Sequence, residues 1–269
     1  MSTRFHRYRL KGALTPSAIA ALLVDECWRD LARAAVPSPE MHLVVRFGPA
    51  VPGGLDVHAL GTQQRVHRKL VHGGQRTVFA RLHLGTHATV LGSSALELAG
   101  RIVALEDLWG RSAAQRLQDQ LADADDAQAA ADILEHAVAA RIRTGHRPEA
   151  CLPLVRRAAQ KLEGANVGTV AHDLGVSERH LRRVFRDITG LSPKTFAKLK
   201  RFARAVDAAQ EGDATPWSHV AAEAGYYDQA HLIAEFRSIA GTTPRAFLAE
   251  LHGQAAGPPP QATARAAYG

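Results

Sequence analysis

The chain has 269 residues, is 46% hydrophobic and carries a formal net charge of +7. It is long enough to bury the core of one large or two ordinary domains, and no apolar run reaches the roughly 20 residues that a membrane-spanning helix needs. Cys27 and Cys151 lie far apart without CxxC spacing, which excludes a disulfide scaffold or a zinc knuckle. With no apolar run after the first arginines, we expect no signal peptide, no membrane contact and a cytoplasmic protein.

The first half of the chain predicts a β-rich domain with helices. Pro16–Ala35 has helical periodicity in part and is predicted as helix, or as helix plus strand. Short segments rich in Val, Leu and Phe, separated by Gly- and Pro-bearing links, predict antiparallel strands at Met41–Phe47, Leu55–Leu60, Arg65–Val71 and Thr77–Leu84. Apolar residues at three- and four-residue intervals predict one helix over Leu105–Leu121 and another over Asp126–Arg143. We expect an α+β protein whose first domain, residues 1–145, is a small barrel or sandwich.

The second half predicts helices only. Gly145–Pro148 has the Gly, Pro and charge of an exposed linker. Capping residues, prolines and glycines mark out helices at Leu152–Leu162, Val167–Leu174, Glu178–Thr189, Pro193–Gln210, Pro216–Ala224, Gln229–Ala240 and Pro244–Leu251. We expect an all-α domain over residues 151–252, followed by a disordered tail, Gly253–Gly269, with a triple proline and no apolar periodicity.

One sequence pattern occurs twice in this half, at Val170–Pro193 and at Val220–Pro244. Each copy contains a short helix, a glycine turn, a capping residue, a longer helix, a glycine and then Ser/Thr-Pro. A short helix, a turn and a second helix form a helix-turn-helix, in which the second helix enters the DNA major groove. The repeat therefore predicts two DNA-reading helices in one chain.

The first of these helices carries a basic stripe. Residues 178–204 contain nine Lys and Arg against two acids, Glu178 and Asp187. Apolar residues at Leu181 and three further positions predict a buried face, and an arginine stripe lies opposite. Arginines on one stripe repel each other, and phosphates or guanine edges opposite them would offset this repulsion. The alternative interpretation is that the stripe is a solvated face without a ligand. The predicted DNA-contacting residues of this helix are Arg179, His180, Arg182, Arg183 and Arg186.

The second of these helices has a nearly uncharged outer face. Its predicted DNA-contacting residues are Gln229, His231, Ile233 and Ala234. Gln229 suits adenine, while Ile233 and Ala234 suit thymine methyl groups, although packing against a neighbour is the alternative. We expect this helix to contribute less specificity than the first.

Residues 151–251 resemble the DNA-binding domain of the AraC/XylS family of bacterial transcription regulators. The segment AGYYDQAHLIAEFRSIAGTTPRAF (Ala224–Phe247) is similar to the family's C-terminal signature, and SERHLRRVF to its first recognition helix. The resemblance implies two helix-turn-helix subdomains joined by a long linker helix, with double-stranded DNA and RNA polymerase as partners. The chain departs from the family at Ala234, where relatives often carry Arg or another polar residue.

Val78–Gly110 is similar to an uncharacterised domain that often precedes this DNA-binding domain. The resemblance implies that residues 1–145 sense a small-molecule effector or form a homodimer. The sequence contains no catalytic motif, and we expect neither an enzyme nor a cofactor. Trp28, Trp109 and Trp217 are predicted as core anchors, Trp28 alternatively as part of an effector pocket.

Two other hypotheses concern the first half. Histidines cluster in the predicted β-region, namely His42, His58, His67, His72, His83 and His87. They would suit a transition-metal site or a pH sensor, with His83 and His87 the first pair to test, but they lack the HExxH spacing of a metal site. We therefore expect no metal, and a metal-responsive sensor is the first alternative function. The second is a constitutive DNA-binding protein whose first half only docks a partner.

Overall fold

The computed structural model describes residues 3–8, 18–144, 150–211 and 216–252. The predicted linker Gly145–Pro148 and the predicted tail Gly253–Gly269 lie outside the described residues. The described part has a strand-rich first half and a helical second half, which confirms the predicted fold class.

Two antiparallel sheets form the framework of the first half. The strands are β1 (Thr3–Tyr8), β2 (Ile19–Cys27), β3 (Leu31–Ala35), β4 (His42–Phe47), β5 (Leu55–Leu60), β6 (His67–Val71), β7 (Gln75–Leu82) and β8 (Ile102–Ala104). Six of them form one sheet in the order β1-β2-β7-β4-β5-β8, and β3 pairs with β6 in the second sheet. The four predicted strand segments are therefore confirmed as β4 to β7.

Helices cover one face of the larger sheet. They are α1 (His87–Leu91), α2 (Ala95–Leu98), α3 (Leu105–Trp109), α4 (Arg111–Ala122) and α5 (Ala127–Thr144). Alternate residues of the strands, such as Leu43, Val45 and Val78, are fully buried beneath them with Leu121 and Leu134. A strand turns successive side chains to opposite faces, so this alternation places the core of the first half between sheet and helices.

Three predictions for the first half were wrong in part. Pro16–Ala35 contains no helix among its described residues but two strands, because β2 lies inside the sheet and is buried on both faces, which hides a two-residue period. The helix predicted at Leu105–Leu121 is two helices, divided at Gly110, whose φ is +79°. Trp28 is 65% exposed and lies in the turn after β2, so it is not a core anchor.

The second half contains the seven predicted helices, each end within one residue of its prediction. They are α6 (Leu152–Lys161), α7 (Val167–Asp173), α8 (Glu178–Thr189), α9 (Pro193–Glu211), α10 (Trp217–Ala224), α11 (Gln229–Ala240) and α12 (Pro244–Leu251). Ser177 and Asp228 cap α8 and α11 as their sequence positions predict, accepting hydrogen bonds from His180 N at 3.2 Å and His231 N at 2.7 Å.

Each helix-turn-helix unit has its own core, and α9 contributes to both. Phe196 of α9 packs edge-on against Phe185 of α8, with ring centroids 5.3 Å apart. Further along α9, Phe202 packs against Phe236 of α11 at 4.5 Å. The 19 residues of α9 span about 28 Å. The linker helix therefore holds two separate cores at a fixed distance.

The first half packs against both units. Ala34 of β3 belongs to the core of the second unit, Val66, just before β6, packs against that core, and Leu84 packs against the core of the first. The short helix α2 packs against α8. No feature of the sequence predicts these contacts.

Candidate nucleic-acid interface

The α8 helix has the two faces that its sequence predicts. Its buried residues are Leu181, Val184, Phe185, Ile188 and Thr189. The four arginines Arg179, Arg182, Arg183 and Arg186 are all exposed, and His180 is half-buried. The arginine side chains are therefore free of the protein core and available to a partner.

The two acids of this segment accompany two of these arginines. Arg182 Nη2 lies 2.5 Å from Glu178 Oε2, and Arg183 Nη1 lies 3.8 Å from Asp187 Oδ2. Exposed ion pairs one helical turn apart contribute only about 0.3–0.5 kcal/mol. A DNA phosphate or base can therefore replace either carboxylate at little cost. Arg179 and Arg186 have no ion pair with any residue in the described part of the chain.

The α11 helix exposes a smaller and mostly neutral surface. Gln229, His231 and Ala234 are exposed, as predicted. Ile233 is half-buried and packs against the core of the second unit, so the packing alternative applies to this residue. Sequence reasoning missed Tyr227, which is 93% exposed at the N-terminal end of α11. Its neighbour Tyr226 is buried, and the paired tyrosines of the motif gave no sign of which one faces solvent.

A buried ionic cluster fixes α11 against α9. Arg201 Nη2 donates to Glu235 Oε2 at 2.6 Å, and the Tyr226 hydroxyl donates to Glu235 Oε1 at 2.8 Å. The Arg201 guanidinium also lies over the Tyr226 ring, 4.8 Å from its centroid. Burial lowers the pKa of Arg201, but its hydrogen bond and charge pairing with Glu235 outweigh burial, so the net pKa is raised. The feature of the sequence that could have predicted this cluster is the carboxylate that lies between Leu232 and Phe236, on the buried side of α11.

A cleft of about 880 Å³ separates the two recognition helices. Glu178 and Arg182 of α8 line one side, and residues of α11 line the other: His231, Ala234, Glu235 and Ser238. The floor belongs to α9, with Lys194, Lys198 and Arg201. The structure thus brings three predicted DNA-contacting residues, Arg182, His231 and Ala234, to one concave surface.

The histidines of the first half lie in varied environments. Burial lowers the pKa of both His42 and His87 to about 4. His83 and His87 border a small cavity beside Thr189 of α8. Among the described residues, no group of three or more His, Cys, Asp or Glu is placed to hold a metal ion. No helix in the described ranges is long and apolar enough to cross a membrane.

Comparison with known proteins gives matches centred on the second half. Residues 170–250 match the family described as "Helix-turn-helix domain". The chain is 31% identical over 88 residues to a "Probable transcription factor PqrA" of Proteus vulgaris, a match that covers 33% of this chain and 71% of that protein.

The chain is also similar to solved structures of three bacterial proteins. The C-terminal domain of AraT, a response regulator from Geobacillus stearothermophilus, is 24% identical, with 37% of this chain and 87% of that chain covered and a TM-score of 0.35. An AraC-type DNA-binding domain-containing regulator from Chromobacterium violaceum is also 24% identical, with 39% and 94% covered and a TM-score of 0.33. ToxT from Vibrio cholerae is 9% identical, with 93% and 99% covered and a TM-score of 0.44.

Proposed function

The chain belongs to the AraC/XylS family of DNA-binding transcription regulators, and on that basis we propose that α8 and α11 read two adjacent major-groove segments on one face of a DNA duplex. The observation that carries this proposal is the shared cleft, with Arg182 on one wall and His231 and Ala234 on the other. Successive major-groove segments lie about 34 Å apart along B-DNA, and the α9 rod of about 28 Å is of that order.

The two helices make unequal contributions in this proposal. Recognition helices contact base edges mainly through their N-terminal residues, which assigns Arg179, Arg182 and Arg183 to bases and Arg186 to the backbone. Arginine contacts guanine bidentately, the strongest single source of base discrimination. On α11, Gln229 suits adenine, whereas Ala234 offers only a methyl contact. We therefore expect the half-site read by α8 to be the more stringent.

Selection of binding sites from a random duplex library with the full chain tests this function. The expected result is a bipartite site whose halves are centred about 10–10.5 base pairs apart, with affinity that falls steeply as salt rises. A single short motif, or no binding at low salt, would contradict the proposal.

The first half regulates the second in this proposal, by sensing an effector or by forming a homodimer. Support comes from two hydrogen bonds between the first half and α11. Val66 N–H donates to Ile239 C=O at 3.0 Å, and Arg68 Nη2 donates to Ala240 C=O at 2.7 Å. These bonds satisfy carbonyls at the C-terminal end of the helix, where a cation is also favoured by the helix dipole. Arg68 Nε additionally donates to Glu250 of α12 at 2.9 Å.

Similar contacts join the first half to the rest of the DNA-binding half. Lys200 Nζ of α9 donates to Glu40 at 2.9 Å, and Arg156 Nε of α6 donates to Leu84 C=O at 3.2 Å. Because both recognition helices contact the first half, a shift of that half moves α8 and α11 together. RNA polymerase is the further partner that family membership implies.

The boundary at residues 145–150 belongs to the same proposal. We expect limited proteolysis of the full chain to remove residues 253–269 first and to cut next near residues 145–150. A single resistant core that spans both halves would contradict the division into two domains.

A further inference from the structure

We propose that Lys194 and Lys198, on the floor of the cleft, bind phosphates of the DNA backbone that separates the two major-groove segments. The inference rests on the proposed function and adds a third contact region to the two recognition helices. It assigns a role to the centre of the bipartite DNA site (the operator), where neither recognition helix reaches a base.

The position of the cleft is the first argument. If α8 and α11 occupy successive major grooves, the sugar-phosphate backbone between those grooves must pass between the helices and over α9. Lys194 and Lys198 lie one turn apart on α9, and both line the cleft. Residues four apart share one face of a helix, with a rise of about 6 Å between them. Both ammonium groups can therefore face the same passing strand.

The charge balance of the cleft is the second argument, because five Lys and Arg side chains line it against three carboxylates, and these carboxylates are paired in the structure. Glu178 pairs with Arg182 at 2.5 Å and Glu235 with Arg201 at 2.6 Å. Glu163 lies 3.9 Å from Arg204. The positive charge that remains unneutralised on the floor belongs to Lys194 and Lys198, so this surface favours an anion.

The other cations of α9 make contacts within the protein, which separates them from these two lysines. Lys200 binds Glu40, Arg201 binds Glu235, and Arg204 donates to Ala224 C=O at 3.0 Å. Lys194, by contrast, is exposed and has no ion-pair partner in the described ranges. Lys198 Nζ donates only to a neutral group there, the Ser238 hydroxyl at 2.9 Å, and so keeps its charge available. The arrangement suits a strand of phosphates along an open cleft.

Salt dependence of operator binding by the full chain is the test. The double variant K194Q/K198Q is compared with wild type and with the matched variant R111Q/R116Q, which removes two exposed charges from α4 in the first half. Each lost phosphate contact makes the negative slope of log K against log salt less steep by about 0.9. The wild-type advantage over K194Q/K198Q should therefore shrink about 12-fold between about 50 and about 200 mM salt. The matched variant should keep the wild-type slope.

Base preference and phosphate neutralisation provide the second measurement. Neutral methylphosphonates placed between the half-sites should weaken DNA binding by the wild type and leave DNA binding by K194Q/K198Q nearly unaffected. The preference of K194Q/K198Q among mutant operators should stay the same as that of the wild type. An unchanged salt slope in a folded K194Q/K198Q protein that still binds a bipartite site would overturn this inference alone. Loss of base discrimination would also overturn it, by assigning the lysines to bases. Failure of the wild type to bind any bipartite duplex would instead refute the proposed function.

Discussion

The docking of the first half on α8 can be tested with two equivalent glycines. Gly190 and Gly241 end the two recognition helices in the same left-handed conformation, with φ of +73° and +71°. A Cβ at Gly241 would meet no atom within 4 Å. A Cβ at Gly190 would lie 2.7 Å from the carbonyl oxygen of Ala95 in α2 and 3.2 Å from the Ala99 Cβ. The two alanine variants therefore differ mainly in the contact with the first half.

The expected free energies of unfolding follow from this difference. An alanine in the left-handed conformation costs about 1 kcal/mol, and this cost applies equally to Gly190→Ala and Gly241→Ala. Overpacking against a backbone oxygen, which cannot rotate away, adds about 1–3 kcal/mol to Gly190→Ala alone. We expect a loss of about 1 kcal/mol for Gly241→Ala and of about 2–4 kcal/mol for Gly190→Ala.

Urea unfolding of the full-length wild type and of both variants measures these losses. The midpoint and the slope are read together, because a changed slope would indicate that the halves no longer unfold as one. Equal losses for the two variants would refute the reasoning, since they would mean that α2 does not pack against the end of α8 in solution.

Three further predictions concern single side chains. Arg182→Ala and Arg183→Ala should each reduce discrimination between operator and mutant sites by about 1–3 kcal/mol in competition binding assays, whereas equal losses on random DNA would indicate phosphate contact. Glu235→Gln leaves the half-buried Arg201 without its counter-charge and should lower the urea unfolding free energy by about 1–3 kcal/mol; a loss near zero would contradict the role of this cluster. The pKa values of His42 and His87 are lowered to about 4, so both stay neutral in the folded chain while the unfolded chain takes up protons below about pH 6.5. Stability should therefore be full above about pH 6.5 and fall towards pH 4 by up to about 1.4 kcal/mol per pH unit for each histidine, and urea midpoints that do not change between these limits would contradict this.

Local signals along the sequence determined the helices of the second half. Ser177 and Asp228 cap α8 and α11, and Gly190 and Gly241 end them, as their positions predict. These signals act within one helical turn and need no distant partner, so they can be seen in the sequence alone. The two faces of α8 are predictable for the same reason, because its apolar residues recur with the helical period.

The strands of the first half were predictable where short segments rich in Val, Leu and Phe lie between Gly- and Pro-bearing links. In β5 the buried residues Val57 and Ala59 alternate with half-buried ones, so the two-residue period is visible in the sequence, whereas β4 has three consecutive buried residues, Leu43–Val45. In β2 this alternation is hidden, because the strand is paired on both sides and is buried on both faces. The exposure of Trp28 depends on the position of the turn after β2. The hydrophobic character of the residue does not by itself predict that position.

The sequence by itself therefore determined the fold class, the repeated helix-turn-helix and the arginine face of α8. Only the tertiary structure decided the shared cleft, the buried Glu235 cluster and the contacts between the halves. Arg68 and Ala240, for example, are 172 residues apart in the chain and meet only because β6 packs beside the end of α11. Such a contact depends on which buried faces and unsatisfied carbonyls of distant elements come together. Neither periodicity nor capping records this, because both describe a residue's neighbours along the chain and not its neighbours in space.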